Sequence, residues 1–358
     1  MKKILTIGIL LGLIFVAYNQ GTSEKKVENP QDTRIAQEKD KEEGGFFKKK
    51  KTELTTEDID LSLKPNEAGQ VMVLMYHQIK EPEGEYIRTP DNLRRDLQTL
   101  YDEGYLPISL TDYVNGNITT PAGKSPYVLT FDDGRQNNFN YLEDGSIDPD
   151  CAVGIIMDFA EKYEDFEPRA TFFINGSERF GQEDLITKKF DFLIENGMEI
   201  GNHTQTHVNF TGTGVETIQK EIGGQKAYLE ESISSDYNIN LLSLPFGSRP
   251  DESLEPYLKE GSYEGAAYDH IAIVNVGWDP NPSPYTTDFD PESIHRITAS
   301  ETNVDGVGIY NWLQILRDNP SRRFVSDGAA NIITFPSDQE DKLKEVEGKE
   351  LYPYENES

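Results

Sequence analysis

Cysteine is all but missing from this chain. Cys151 stands alone among 358 residues, so no disulfide can form within the chain and the fold must rest on its own core. Basic residues are scarce too, with 34 Lys and Arg against 64 Asp and Glu, and the formal charge of −30 excludes nucleic acid as a partner because its phosphates would be repelled. No serine lies between two glycines in the pattern of a nucleophile elbow. Gly123-Lys124-Ser125 lacks the glycine five residues earlier that a phosphate loop requires. Serine hydrolysis and nucleotide chemistry therefore have no support.

A fully membrane-spanning apolar run is missing as well. Ile4 to Tyr18 is somewhat short for one, follows Lys2 and Lys3, and reads as the apolar region of an export signal. Val16-Ala17-Tyr18-Asn19 is a poor cleavage pattern, so residues 1–18 are either a signal peptide or an uncleaved N-terminal membrane anchor. Both place the protein outside the cytoplasm, membrane-anchored at the cell surface or secreted. Residues 19–66 are dense in charge and poor in aromatics, which predicts a disordered tether. The tether holds 10 basic and 11 acidic residues, so nearly all the negative excess lies beyond it. Such acidity keeps a protein soluble in a salty or alkaline medium and also suits a substrate that turns cationic. Within the tether, Phe46-Phe47 and Lys48 to Lys51 fit an anionic membrane surface. The tail 337–358 is similarly charged and is expected to fray.

Between these ends, apolar runs alternate with helical patterns. Val71–Tyr76, Tyr127–Phe131, Ala170–Ile174, Met198–Asn202, Leu241–Pro245 and Ile271–Val276 read as strands. Thr89-Pro90 opens a helix that Gly104 ends, and Val215–Ile233 carries another helical pattern. This order predicts an α/β fold on a parallel sheet, with one catalytic domain over residues 67–336. Asn137–Asp150, polar and rich in Gly and Asp, reads as an insertion over the site.

Two of the strand runs end in metal-type ligands. Asp132-Asp133-Gly134 follows Phe131, and His203-Thr204-Gln205-Thr206-His207 follows Asn202. Three protein ligands suit a catalytic zinc, and Asp133, His203 and His207 supply them. Asp132 is left over, and a free carboxylate beside such a centre can take the proton from an attacking water. Two His and one carboxylate also describe an iron facial triad, so zinc is only the first expectation, but the spare acid favours hydrolysis over oxygen chemistry. A zincin helix needs Glu after the first His, and Thr204 stands there.

Val128-Leu129-Thr130-Phe131-Asp132-Asp133-Gly134, then His203-Thr204-x-x-His207, then Pro245-Phe246-Gly247 resembles the polysaccharide deacetylase family, the NodB-homology or carbohydrate esterase 4 group. The resemblance implies a distorted (β/α) barrel with fewer than eight strands and metal-dependent removal of acetyl groups from a glycan. It makes Asp132 the base, Asp133, His203 and His207 the metal ligands, and the Phe246 backbone N–H an oxyanion donor. Pro245 and Trp278 are expected to line the substrate site. Where the family carries an Arg that orients the base, this chain has Ser243, and Arg249 is the nearby substitute. The family's closing His is missing from Asn331 to Pro336, which leaves His77, His270 and His295 as candidates for the acid that protonates the leaving amine. Chain order after Trp278-Asp279 favours His295, with His77 as its rival. The resulting expectation is an exported deacetylase of an N-acetylhexosamine polymer such as peptidoglycan, with an O-acetyl glycan esterase or an inactive glycan-binding protein as alternatives.

Overall fold

The structure is a computed structural model, and it describes residues 53–355. The export run and the tether up to residue 52 lie outside the described residues. Among the described residues, no helix is long and apolar enough to cross a membrane.

Eight strands make one sheet: β1 (Met72–Tyr76), β2 (Tyr105–Ile108), β3 (Ser125–Phe131), β4 (Thr171–Ile174), β5 (Glu199–Asn202), β6 (Leu241–Ser243), β7 (Ala272–Val274) and β8 (Ile297–Thr298). Seven follow the path β7-β6-β5-β4-β3-β1-β8, while β2 pairs with the first half of β3, and every pairing is parallel. Parallel strands need crossovers that cover the sheet, so their faces are buried on both sides. In β3 all seven residues are buried. A parallel bridge from Val274 to Ile294 leads the far edge back toward β8, which lies beside β1. The sheet thus curls into the expected distorted barrel.

Among the described residues, seven helices accompany the sheet: α1 (Pro90–Asp102), α2 (Leu110–Val114), α3 (Ala152–Lys162), α4 (Ile186–Glu195), α5 (Val215–Glu231), α6 (Pro256–Lys259) and α7 (Ile309–Asp318). Thr89 caps α1 by accepting the Asn92 N–H, Pro90 occupies the first helical position, and Leu93, Leu97 and Leu100 form its buried stripe. Gly104, at φ +80°, ends it. Gly223 in α5 lets the hairpin Glu260–Tyr263/Ala266–Asp269 approach, because a Cβ there would meet the Tyr263 Cβ at 2.7 Å.

Strand alternation divides the core into two main layers. Met72, Leu74 and Tyr76 of β1 join Leu129 and Phe131 of β3 in the layer that includes α1 and α3, whereas Val73 and Val128 face the other layer with Phe173 and Val274. Continuing the second register from Val128 through Thr130 gives Asp132 the same inner face.

Both ends of the domain differ from expectation. The predicted tether gives way to folded chain before residue 66: Thr56–Asp58 and Leu61–Leu63 form 3-10 turns, Ile59 is buried with Ala329 and Ile332, and the Leu54 backbone exchanges hydrogen bonds with the Asn331 side chain. A few apolar residues spaced along a polar segment suffice to dock it on an existing core. The tail is likewise paired. β9 (Ile332–Pro336) and β10 (Glu350–Tyr354) form a parallel ladder, so backbone hydrogen bonds hold a segment whose charge suggested fraying. The segment 137–150 is anchored at its start, with Phe139 and Asn138 fully buried and Asn138 Nδ2 donating to the His77 carbonyl at 2.5 Å, while residues 142–146 are exposed.

Candidate active site

The acids and imidazoles meet where β3 and β5 end. Asp133 has φ +73°, a region costly for a residue with a Cβ, and this breaks the strand alternation that would point adjacent carboxylates to opposite faces. Asp132 Oδ2 and Asp133 Oδ1 accordingly lie 3.9 and 3.7 Å from the same atom, His203 Nε2. Thr204, His207 and Phe246 also have positive φ, so strain gathers around one site. The surrounding structure holds that strain. Glu221 of α5 accepts hydrogen bonds from the Thr206 amide and hydroxyl at 2.7 and 2.8 Å, and Asn202 Oδ1 accepts from the Thr204 amide at 2.9 Å.

The His203 tautomer follows from its partner. A carbonyl can only accept, so Nδ1–H donates to the Ser243 carbonyl at 2.9 Å and Nε2 carries the lone pair. That buried Nε2 has no hydrogen-bond partner. A buried acceptor left unmatched is costly unless something binds it. His207 Nε2 lies 3.4 Å from Asp133 Oδ1, and one ligand atom from each of Asp133, His203 and His207 falls within 4.8 Å of the others. The donor set and the orphaned nitrogen fit a divalent metal. Asn175 Nδ2 and Arg135 Nε each donate to Asp133 at 3.2 Å and orient it, and burial, with His203 close by, pushes the His207 imidazole below its ordinary pKa.

Asp132 is held by a residue that the sequence did not nominate. Arg296 places Nη1 2.6 Å from Oδ1 and Nη2 2.7 Å from Oδ2, a two-pronged clamp in which both side chains are buried. Ser243 completes it, accepting from Arg296 Nη2 at 3.0 Å and donating to Asp132 Oδ2 at 3.2 Å. Burial would raise the Asp132 carboxyl, but the Arg296 charge, with His203 and the Arg296 hydrogen bonds, outweighs it and holds the group well below the usual carboxylate range. Arg249 instead bonds to Glu255, Asn275 and the Glu292 carbonyl, so it does not substitute for the missing arginine.

The three remaining histidines separate clearly. His295 is nearly half exposed and pairs with Asp279 at 2.9 Å, because the residue before the inward-facing Arg296 faces the other way along an extended segment. His270 is buried and bonds to the Leu258 carbonyl at 2.7 Å. His77 follows β1 directly and brings Nε2 to 4.0 Å from Asp132 Oδ2; burial lowers its pKa against the pull of Asp132 and Asp133. Phe246 is exposed with its ring 4.7 Å from that of His207, Pro245 is buried beside it, and Trp278 is exposed beyond β7 while its carbonyl accepts the Trp312 indole N–H at 2.6 Å. An ionised, clamped carboxylate, a metal-type triad and a nearby imidazole together suit acid–base hydrolysis.

The polysaccharide deacetylase profile matches residues 119–263. The putative polysaccharide deacetylase YxkH of Bacillus subtilis is 21% identical over 84% of this chain and 94% of its own length. Among solved structures, the Streptococcus pyogenes deacetylase PplD in complex with acetate has a TM-score of 0.50 at 22% identity, covering 68% of this chain and 97% of that one. The putative polysaccharide deacetylase BA0330 of Bacillus anthracis has a TM-score of 0.51 at 20% identity, covering 68% of each chain.

Proposed function

We propose that this chain, whose residues 119–263 match the polysaccharide deacetylase profile, is an exported, metal-dependent enzyme that hydrolyses N-acetyl groups of an N-acetylhexosamine polymer, with peptidoglycan the first candidate. The observation that carries this reading is the clamped Asp132 facing the orphaned His203 Nε2 within the Asp133-His203-His207 cluster. A pure binding protein has no use for a base held ionised.

Bound by Asp133, His203 and His207, a divalent metal such as zinc would supply Lewis-acid charge at the acetyl carbonyl. Asp132 takes the proton of the attacking water, and Arg296 with Ser243 fixes the direction in which its oxygens point. The Phe246 backbone N–H is the donor for the developing oxyanion, a contribution of about 3 to 4 kcal/mol in comparable sites. His77 approaches Asp132 while His295 is engaged with Asp279, so His77 is placed to receive the water's proton from Asp132 and pass it to the departing amine. Trp278 is open to meet a sugar ring, whereas Pro245 is buried and supports the turn at Phe246 rather than lining the surface. The run Ile4 to Tyr18 supports export with retention at the membrane, and fractionation that finds only a freely secreted form starting after residue 18 would remove the anchor alone.

Acetate release measured across peptidoglycan, chitin oligomers, an acetylated exopolysaccharide and acetylxylan tests the substrate. Release from N-acetylated glycans is expected; activity confined to acetylxylan would replace this reading with an O-acetyl esterase.

A further inference from the structure

Tyr86 sits at the corner of a turn built to hold it. Gly84 and Ile87 exchange backbone hydrogen bonds of 2.9 and 3.2 Å, which leaves Glu85 and Tyr86 at the tip. The turn is pinned from both sides. Glu83 accepts from the Thr89 amide at 2.9 Å and from Asn92 Nδ2 at 2.7 Å and pairs with Arg88 at 2.6 Å, while Ser300 Oγ donates to the Gly84 carbonyl at 3.2 Å. Arg88 is itself buried in a two-pronged pair with Asp96 of α1.

The turn that carries Tyr86 is firmly held, yet the Tyr86 side chain is left 46% exposed. Among the described residues its ring pairs edge-on with His77, with centroids 4.9 Å apart. A residue that served only to prop His77 would gain nothing from an open face. In the sheet order, β1, which leads to His77 and Tyr86, and β6, which leads to Phe246, lie on opposite sides of β3 and its two acids. Phe246 is 66% exposed. Two open aromatic side chains thus flank the acid pair, an arrangement that fits the C–H faces of successive pyranose rings.

We propose that Tyr86 is a substrate-binding platform that stacks on a sugar ring to one side of the acetamide held at Asp132, so that the site takes an oligomer in preference to a single sugar. The proposal rests on the glycan reading above and deepens it. Binding is measured by calorimetry with the tetramer of N-acetylglucosamine and with the monosaccharide, on metal-loaded full-length protein carrying either Tyr86 or Tyr86→Ala, alongside Tyr86→Trp. Tyr86→Ala should raise the tetramer Kd about tenfold, the scale of one lost aromatic contact, and Tyr86→Trp should restore it. Steady-state acetate release should show KM rising with kcat altered less than about threefold. An unchanged tetramer Kd with a falling kcat would assign Tyr86 to holding His77 and overturn the platform. An equal loss of affinity for tetramer and monosaccharide would overturn the oligomer preference. Tyr86-dependent tetramer binding without any acetate release from the unmutated protein would instead reject the deacetylase reading and leave the platform standing.

Discussion

Replacing Arg296 should be the most damaging single change outside the metal ligands. Its guanidinium makes two charge-assisted hydrogen bonds to Asp132 at 2.6 and 2.7 Å, and Nε donates to the Asn275 carbonyl at 2.9 Å, all in buried surroundings. Arg296→Met leaves the Asp132 carboxylate buried without its partner, a change that costs about 3 to 5 kcal/mol in comparable pairs. The pH dependence has a definite sign. A carboxyl held down in the folded state stabilises the protein above the unfolded value of about 4, and that contribution drains away as pH falls below it. Without Arg296 the cost of burying a charged carboxylate dominates, so Asp132 takes up a proton at higher pH and the acidic limb of kcat/KM moves upward. Arg296→Lys keeps a charge but loses the fork, and the misdirected base should lower kcat on N-acetylated oligomer by about 10²-fold. Urea denaturation at pH 7 and at pH 4, with pH–rate profiles from acetate release, reads all three effects. Arg296→Met with wild-type stability and an unmoved acidic limb would refute the reasoning.

Other expectations follow from the same geometry. His77→Ala should lower kcat on an N-acetyl substrate by about 10²-fold while sparing an activated acetyl ester, whose alkoxide needs less protonation; His295→Ala should change either rate by less than about threefold, and the reverse pattern would return the acid role to His295. Protein purified without added metal should contain one zinc-like ion per chain by elemental analysis, and full occupancy in a His203→Ala, His207→Ala double variant would sink the site. Deleting residues 337–358 removes β10 from β9 and should lower the melting temperature by several degrees, an effect that a merely frayed tail would not produce.

Much of this architecture was legible because strand periodicity and ligand chemistry coincide. Six predicted strands fall within two residues of β1, β3, β4, β5, β6 and β7, and the strand-end motifs supply the assembled triad. The remaining strands gave weak signals for physical reasons. β8 is two residues long, and β2 contains Pro107, which a strand tolerates only where its missing donor is not needed. The clamp was hidden because no local pattern ties Arg296 to Asp132, 164 residues away. Chain order after Trp278-Asp279 points to His295, yet it is its neighbour Arg296 that faces inward on the alternating segment. His77 stood at the end of a predicted strand, and its proximity to Asp132 rests on the β1–β3 register pairing Tyr76 with Phe131.

The central claim is that Asp132 drives hydrolysis of an acetamide at the Asp133-His203-His207 centre. Its most direct test is the appearance of free amine, matched one to one by acetate, when metal-loaded protein is given the N-acetylglucosamine tetramer, with Asp132→Asn run in parallel. The unmutated chain should release both products, and the variant should lose about 10²-fold or more of that activity. Equal product from both proteins, or none from the unmutated chain on this tetramer and on peptidoglycan alike, would contradict the claim.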